Sequence, residues 1–92
     1  MNEKLIEKKL RERVKKLGGL ALKFLCLFFT GMPDRIVLMP GGRIWFVELK
    51  TTNKKPKPRQ TFVMNLLKKL GFEVIVIDDE KTLLEFLELI AK

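Results

Sequence analysis

The sequence of 92 residues contains no histidine, no tyrosine and no serine, and Cys26 is its only cysteine. These absences exclude serine hydrolase triads, Cys–His nucleophiles, tyrosine nucleophiles and histidine general bases. They also exclude the histidine and cysteine ligand sets that hold zinc. If the chain is an enzyme, its chemistry must therefore depend on carboxylates and lysines.

The sequence also has no segment suited to crossing a membrane. Its most apolar stretch, Leu20 to Met32, is too short and contains Lys23, whereas a spanning helix needs about twenty apolar residues. A single cysteine forms no internal disulfide, and no charged-then-apolar leader opens the sequence. We therefore expect a cytoplasmic protein with no membrane partner. We also expect no small-molecule cofactor.

Length and charge narrow the class of protein further. A chain of 92 residues with 47% apolar side chains is predicted to form a single domain over residues 1–92. Its net charge of +8 is uneven, because residues 1–72 hold seventeen basic and five acidic side chains, whereas residues 73–92 hold two and six. A basic body of this kind suits nucleic acid, although an ordinary solvated basic surface is the alternative.

Hydrophobic spacing predicts seven elements in the order αβββαβα. We expect helices over 3–17, 59–70 and 80–91, and strands over 20–29, 34–39, 43–50 and 72–77. The run 20–29 is predicted as a buried strand, with a helix still possible, and 72–77 as a strand buried on both faces. Pro40-Gly41-Gly42 indicates a hairpin, and a strand that follows a crossover helix normally lies parallel to its neighbour. The predicted fold is α/β (α+β), with a mixed sheet flanked by helices.

Three charged residues are predicted to meet at one end of the hairpin. Side chains alternate along a strand, so Glu48 and Lys50 point the same way, and the antiparallel partner strand brings Asp34 beside Glu48. Two adjacent carboxylates repel each other unless a divalent cation neutralises them, and hard oxygen ligands favour Mg²⁺ or Mn²⁺ over zinc. The pattern predicts a metal site with its lysine. The alternatives are a Glu48–Lys50 ion pair and a turn or cap aspartate at position 34.

These residues form a motif that is known from nucleases. Pro33-Asp34 followed by Glu48-Leu49-Lys50 matches the PD-(D/E)xK pattern. The flanking sequences, Gly31 to Val37 and Phe46 to Lys50, resemble the virus-type replication-repair nuclease (VRR-NUC) family, over nearly the whole chain. The resemblance implies a restriction-endonuclease-like core and metal-dependent hydrolysis of DNA phosphodiesters, in a bacterial or phage-infected cell.

The resemblance also implies roles for the motif residues. The side chains of Asp34 and Glu48 and the backbone carbonyl of Leu49 would bind Mg²⁺ or Mn²⁺. Lys50 would orient or activate the attacking water.

Two further sites follow from the same resemblance. Family members carry a glutamate on the first helix, and both Glu7, which we favour, and Glu3 fit, because they lie one turn apart on one face. Gln60 matches a glutamine near the site that would position water or a backbone phosphate. The alternative for Gln60 is an exposed residue at a helix start.

Basic side chains on the first helix and before the second are candidates for binding phosphates, which adds affinity but reads no sequence. They are Lys8, Arg11, Lys15, Lys54, Lys55, Lys57 and Arg59. For each of them, a solvated surface charge is the alternative.

The sequence departs from the family between Lys23 and Pro33, where it is more apolar than its relatives. Either the sheet is covered on both faces, or part of the run Phe24 to Phe29 is buried against a second copy. We therefore expect a homodimer. Because dimeric relatives cut junctions, we expect a structure-selective endonuclease for branched DNA or four-way (Holliday) junctions, acting in replication, repair or recombination. The alternative function is a non-catalytic basic nucleic-acid-binding module, which gives no reason for Asp34, Glu48 and Lys50 to converge.

Overall fold

The computed structural model describes residues 2–51 and 54–92. Its elements are α1 (Glu3–Lys16), β1 (Leu20–Lys23), β2 (Arg35–Met39), β3 (Arg43–Leu49), α2 (Pro58–Lys69), β4 (Glu73–Ile77) and α3 (Glu80–Ile90). The four strands form one sheet in the order β1-β2-β3-β4. The first three are antiparallel, and β4 lies parallel to β3. The predicted αβββαβα order and the mixed sheet are therefore confirmed.

The β2–β3 hairpin fixes the register on which the site depends. Gly41 and Gly42 both have positive φ angles, of 84° and 73°, which glycine adopts without the steric cost that a Cβ imposes. They close the turn between Met39 and Arg43, which are paired across the two strands. Continuing this register beyond the last pair places Asp34 beside Glu48, as predicted.

One face of the sheet packs against α1 and α3. Strand alternation directs Val37, Trp45, Val47 and Leu49 to this face, where they are buried. The whole apolar cluster comprises Ile6, Leu10, Val14, Val37, Met39, Trp45, Val47, Leu49, Ile77, Leu83, Phe86, Leu87 and Ile90. Helix α2 packs on the opposite face with its own buried residues, Val63, Met64 and Leu67.

The prediction of a buried strand over 20–29 is wrong. Strand β1 ends at Lys23, at the edge of the sheet, and the following residues form an irregular loop. In this loop Leu25 and Leu27 are 79% and 67% exposed, and Phe28 is fully exposed. The run is apolar enough for a strand, but β1 has only β2 as a neighbour, and α2 packs on the returning arm of the loop at Gly31 and leaves its tip exposed.

Strand β4 is also less buried than predicted. It forms the other edge of the sheet, and of its five residues Ile77 alone is fully buried, while Glu73 is exposed. Its parallel pairing with β3 follows from the crossover through α2, as expected. No helix in the described ranges combines the length and apolarity needed to span a membrane.

Candidate active site

Asp34 and Glu48 are joined by hydrogen bonds between their two strands. The backbone N–H of Asp34 donates to Glu48 Oε1 over 3.1 Å. The backbone N–H of Leu49 donates in return to Asp34 Oδ1, also over 3.1 Å. Each carboxylate is therefore held by the backbone of the neighbouring strand, which fixes both side chains at the end of the hairpin.

Glu48 is the most unusual residue of this group, because it is a carboxylate that is only 3% exposed. Its Oε2 accepts hydrogen bonds from Lys50 Nζ at 3.0 Å and from Gln60 Nε2 at 3.1 Å. Burial raises the pKa of Glu48 above its usual range. The neighbouring charge of Asp34 raises it further, against the opposing effect of Lys50. Such a group favours a positive charge beside it.

Gln60 is positioned by the start of α2. Its Oε1 accepts the N–H of Lys57, the residue that caps the helix, over 3.0 Å. This bond turns the Nε2 group toward Glu48. The predicted site residue is thus tied to the helix start and to the buried carboxylate at once. An exposed helix-start residue, the alternative reading, would not make the second contact.

Arg35 is a site residue that the sequence analysis missed. Its guanidinium donates to Asp34 Oδ2 over 3.1 Å and to the backbone oxygen of Asp34 over 3.0 Å, and the side chain is largely buried. Strand alternation places Arg35 on the same face as Val37. A charge on an otherwise apolar face requires a partner, and this signal could have identified it.

The two glutamates of α1 lie beside this arginine. Glu3, Lys4, Glu7 and Arg35 line a shallow cavity of about 310 Å³. Glu7 pairs with Arg11 at 3.1 Å. Within residues 2–51 and 54–92, no three carboxylate or cysteine side chains come together as a metal-binding group. The structure thus brings Asp34 and Glu48 together, and places Arg35 between that pair and the α1 glutamates.

The residues at the hairpin end fit a hard divalent cation. Asp34 Oδ1 and Oδ2 and Glu48 Oε1 each accept one hydrogen bond from the described residues, and a carboxylate oxygen has two lone pairs. These oxygens, together with the Leu49 carbonyl at the end of β3, form a donor set of the kind that Mg²⁺ and Mn²⁺ prefer. Glu3 and Glu7 line the cavity beside Arg35 and, within the described residues, do not form a group with these two carboxylates.

The basic residues predicted to bind phosphates are in exposed positions. Lys8, Arg11 and Lys15 lie along one side of α1, and Lys4, which was not predicted, continues the row at the same spacing. Lys54, Lys55 and Lys57 precede α2. Arg59 differs from the others, because its guanidinium lies over the rings of Phe29 and Phe62, at 5.1 and 5.5 Å from their centres.

The loop of residues 24–33 is attached directly to the site. At its base, the N–H of Phe24 donates to the backbone oxygen of Asp34 over 2.8 Å. On its returning arm, Arg59 of α2 donates to the oxygen of Thr30 over 3.1 Å. Gly31, with φ of 95°, lies so close to α2 that a Cβ there would be 2.9 Å from side-chain atoms of Arg59 and Val63.

Comparisons with known proteins agree with this architecture. No family model matches the sequence. The chain is 44% identical over 80 residues to "Putative nuclease p44" of Acyrthosiphon pisum secondary endosymbiont phage 1, covering 87% of this chain and 86% of that protein. A solved structure described as a VRR_NUC domain superposes with a TM-score of 0.87 and 37% identity, covering 94% of each chain.

Proposed function

Because the chain belongs to the VRR-NUC family of nucleases, we propose that it is a metal-dependent DNA endonuclease that selects branched DNA. The observation that carries this proposal is the convergence of Asp34, Glu48, Lys50 and Gln60 at the end of β3. A non-catalytic binding module would have no use for a buried carboxylate whose pKa is raised by its surroundings.

The roles follow from the contacts. Asp34, Glu48 and the Leu49 carbonyl would hold Mg²⁺ or Mn²⁺, with Glu7 or Glu3 as a further ligand. When bound, such an ion polarises a phosphoryl oxygen and lowers the pKa of a coordinated water. Lys50, whose ammonium lies at the same carboxylate, orients the attacking water.

The remaining groups support this arrangement. Gln60 keeps Glu48 in its orientation, because its amide is itself fixed by the helix start. The exposed row of Lys8, Arg11 and Lys15 holds the phosphates that flank the cut, which gives affinity without sequence preference.

The proposed enzyme is a homodimer. Leu20 and Leu22 of β1 and Ile44 of β3 are exposed on the α2 side of the sheet. The pairing of Leu20 with Leu38 and of Leu38 with Ile44 makes this surface continuous. Apolar patches of this kind are commonly covered by a second subunit. Two copies would present two sites, which can engage two of the four arms of a junction at once.

The experiment is a cleavage assay on linear, flapped, bubbled and four-way DNA with Mg²⁺, Mn²⁺, Ca²⁺ or EDTA. We expect cleavage with Mg²⁺ or Mn²⁺, binding without turnover in Ca²⁺, and no cleavage in EDTA. Asp34→Asn and Glu48→Gln should stop cleavage while DNA binding persists. Glu85→Gln, which changes an exposed carboxylate on α3, is the matched control and should cleave normally.

Three results would contradict parts of the proposal. Cleavage in EDTA excludes the metal mechanism, and cleavage by both site variants excludes the residue assignment. DNA binding that is indifferent to Mg²⁺ and never leads to cleavage favours the binding module. A mass of 10.7 kDa by light scattering, with no preference for branched DNA, removes the homodimer and the substrate preference.

A further inference from the structure

We propose that Phe28, at the tip of the loop of residues 24–33, stacks on a DNA base that is left unpaired beside the cut. This inference rests on the proposed function and deepens it, because it names the feature by which branched DNA is distinguished from linear duplex. A branch or flap differs from duplex in offering unstacked bases, and an exposed aromatic ring binds such bases whatever their identity.

The first argument is the position of the loop. Its base is hydrogen-bonded to Asp34 through Phe24, and its returning arm is bonded to α2 through Arg59 and Thr30. Asp34 and the helix that carries Gln60 are both parts of the candidate site. The loop is therefore held at both ends by elements that carry the site, which limits how far its tip can lie from Asp34.

The second argument is the state of Phe28 itself. It is fully exposed, and its φ of 65° lies in the left-handed region, which is unfavourable for a bulky side chain. Folding does not account for a phenylalanine here, since the ring is not buried and glycine would suit the backbone better. Residues held in such conformations cluster at functional sites.

The third argument is charge, which favours DNA over a second copy of the chain as the partner of the tip. Lys23 precedes the loop and is exposed, and the Arg59 guanidinium lies against Phe29. The chain as a whole carries +8. Two copies that met through this tip would bring their basic groups together, whereas a nucleic acid brings phosphates to the same groups.

The chain length of the loop limits where the base lies. Phe28 and Asp34 are six positions apart in the chain, so their Cα atoms are at most about 20 Å apart. At roughly 3.4 Å per nucleotide along a strand, this reach covers about six nucleotides from the scissile phosphate. The proposed contact is thus confined to a short, searchable stretch of substrate.

The test combines substitutions at Phe28 with removal of single bases from a flapped DNA. Dissociation constants are measured in Ca²⁺, so that binding is read separately from cleavage. Phe28→Ala and Phe28→Leu should weaken binding to flapped DNA by about five- to 150-fold, the range that base–aromatic stacking supplies, and binding to linear duplex by less than about twofold. Phe28→Trp should bind flapped DNA like wild type, because tryptophan keeps an aromatic ring at this position.

An abasic site is then moved through the six positions nearest the branch. At one position it should weaken the wild-type protein as strongly as Phe28→Leu does, and it should weaken Phe28→Leu no further, since the two changes remove the same contact. Leu89→Ala, an exposed apolar residue on α3, is the matched control and should leave every value unchanged. Phe28→Gly should melt no lower than wild type, which confirms that the loop folds.

The possible results separate the inference from the proposed function. The stacking contact is overturned, while cleavage stands, by either of two results. In one, the loss of affinity from Phe28→Leu and the loss from the abasic site are additive at all six positions. In the other, Phe28→Leu binds flapped DNA like wild type. A Phe28→Leu variant whose mass falls from dimer to monomer assigns the tip to a second copy and also overturns it. A wild-type protein that binds no DNA overturns both proposals, and one that shows the abasic coupling without cleaving DNA overturns only the nuclease mechanism.

Discussion

The sheet face under α1 and α3 is buried with those helices in one apolar cluster, whereas the face under α2 buries Glu48 and leaves Leu20, Leu22 and Ile44 exposed. The first face supplies apolar burial, which is the main favourable term in folding. The second bears the cost of a carboxylate kept out of water. In a chain this short, stability of the fold and the chemistry of the site are divided between the two faces of one sheet. Substitutions on the α1–α3 side should therefore lower the free energy of unfolding, and substitutions on the α2 side should lower the rate of cleavage.

The largest expected effect is on catalysis, from Lys50→Ala on the α2 side. Loss of a group that assists proton transfer should lower kcat by about 10²- to 10⁴-fold. The folded fraction of the variant, followed by circular dichroism under the assay conditions, shows that the loss of rate is measured on folded protein. Lys68→Ala, which changes an exposed lysine near the end of α2, should cleave normally. A Lys50→Ala rate within tenfold of wild type would make this lysine structural.

Phe86→Ala on α3 is expected to lower the stability of the fold, whereas Lys50→Ala lowers the rate of cleavage. Phe86 is fully buried and packs edge-on against Trp45, with ring centres 6.0 Å apart. Its removal should lower the free energy of unfolding by about 3–5 kcal/mol, as measured by urea denaturation. Phe62→Ala, at an exposed position of α2, should lower it by less than about 1 kcal/mol. Equal losses would show that the two faces share the stability of the fold.

A smaller effect on each measurement is expected at Gln60, which contributes both to the stability of the fold and to the chemistry of the site. Gln60→Ala removes the bond to Glu48 and the cap on Lys57, and should cost about 1 kcal/mol of stability and about ten- to hundredfold in rate. Gln60→Glu keeps an acceptor for the cap but loses the donor to Glu48. If Gln60→Glu recovered the rate, capping alone would explain the residue.

The smallest expected effect is the pH dependence of stability. The pKa of Glu48 in the folded protein is raised from 4.5, first by burial. The folded state therefore binds this proton more tightly than the unfolded state does. The resulting stability is fully present below pH 4.5 and is lost as the pH rises through the folded-state pKa. In EDTA, the melting temperature of wild type relative to Glu48→Gln should rise as the pH falls from 7 toward 4.5. A constant difference would contradict the assignment.

Much of the site could be predicted because it depends on local rules. The turn glycines at 41 and 42 and the two-residue alternation of strands are enough to place Asp34, Glu48 and Lys50 together. The contact from Gln60 is less local, since it needs α2 to cross the sheet, and its prediction came from family resemblance. The choice between Glu3 and Glu7 stays open, because both lie on one face of α1 and line the same cavity.

What could not be predicted depends on which surfaces the helices cover. The apolar run from Leu20 to Phe29 has the composition of a buried strand, and nothing within it shows that β1 is an edge or that the tip of the loop is left exposed. The same limit applies to β4, whose β-branched residues suit a central strand as well as an edge. Burial is decided by distant elements, so composition alone misjudged both.

The close packing of Gly31 on α2 has a consequence for mutational tolerance. This glycine carries no chemistry, yet its positive φ and its contact with Arg59 and Val63 leave no room for a Cβ. Any substitution must move the loop away from α2, and this displacement also shifts the segment that leads from Gly31 to Asp34. In a saturation library selected for cleavage, Gly31 should therefore tolerate as few replacements as Asp34. The same library sorted only for protein abundance should retain many of them.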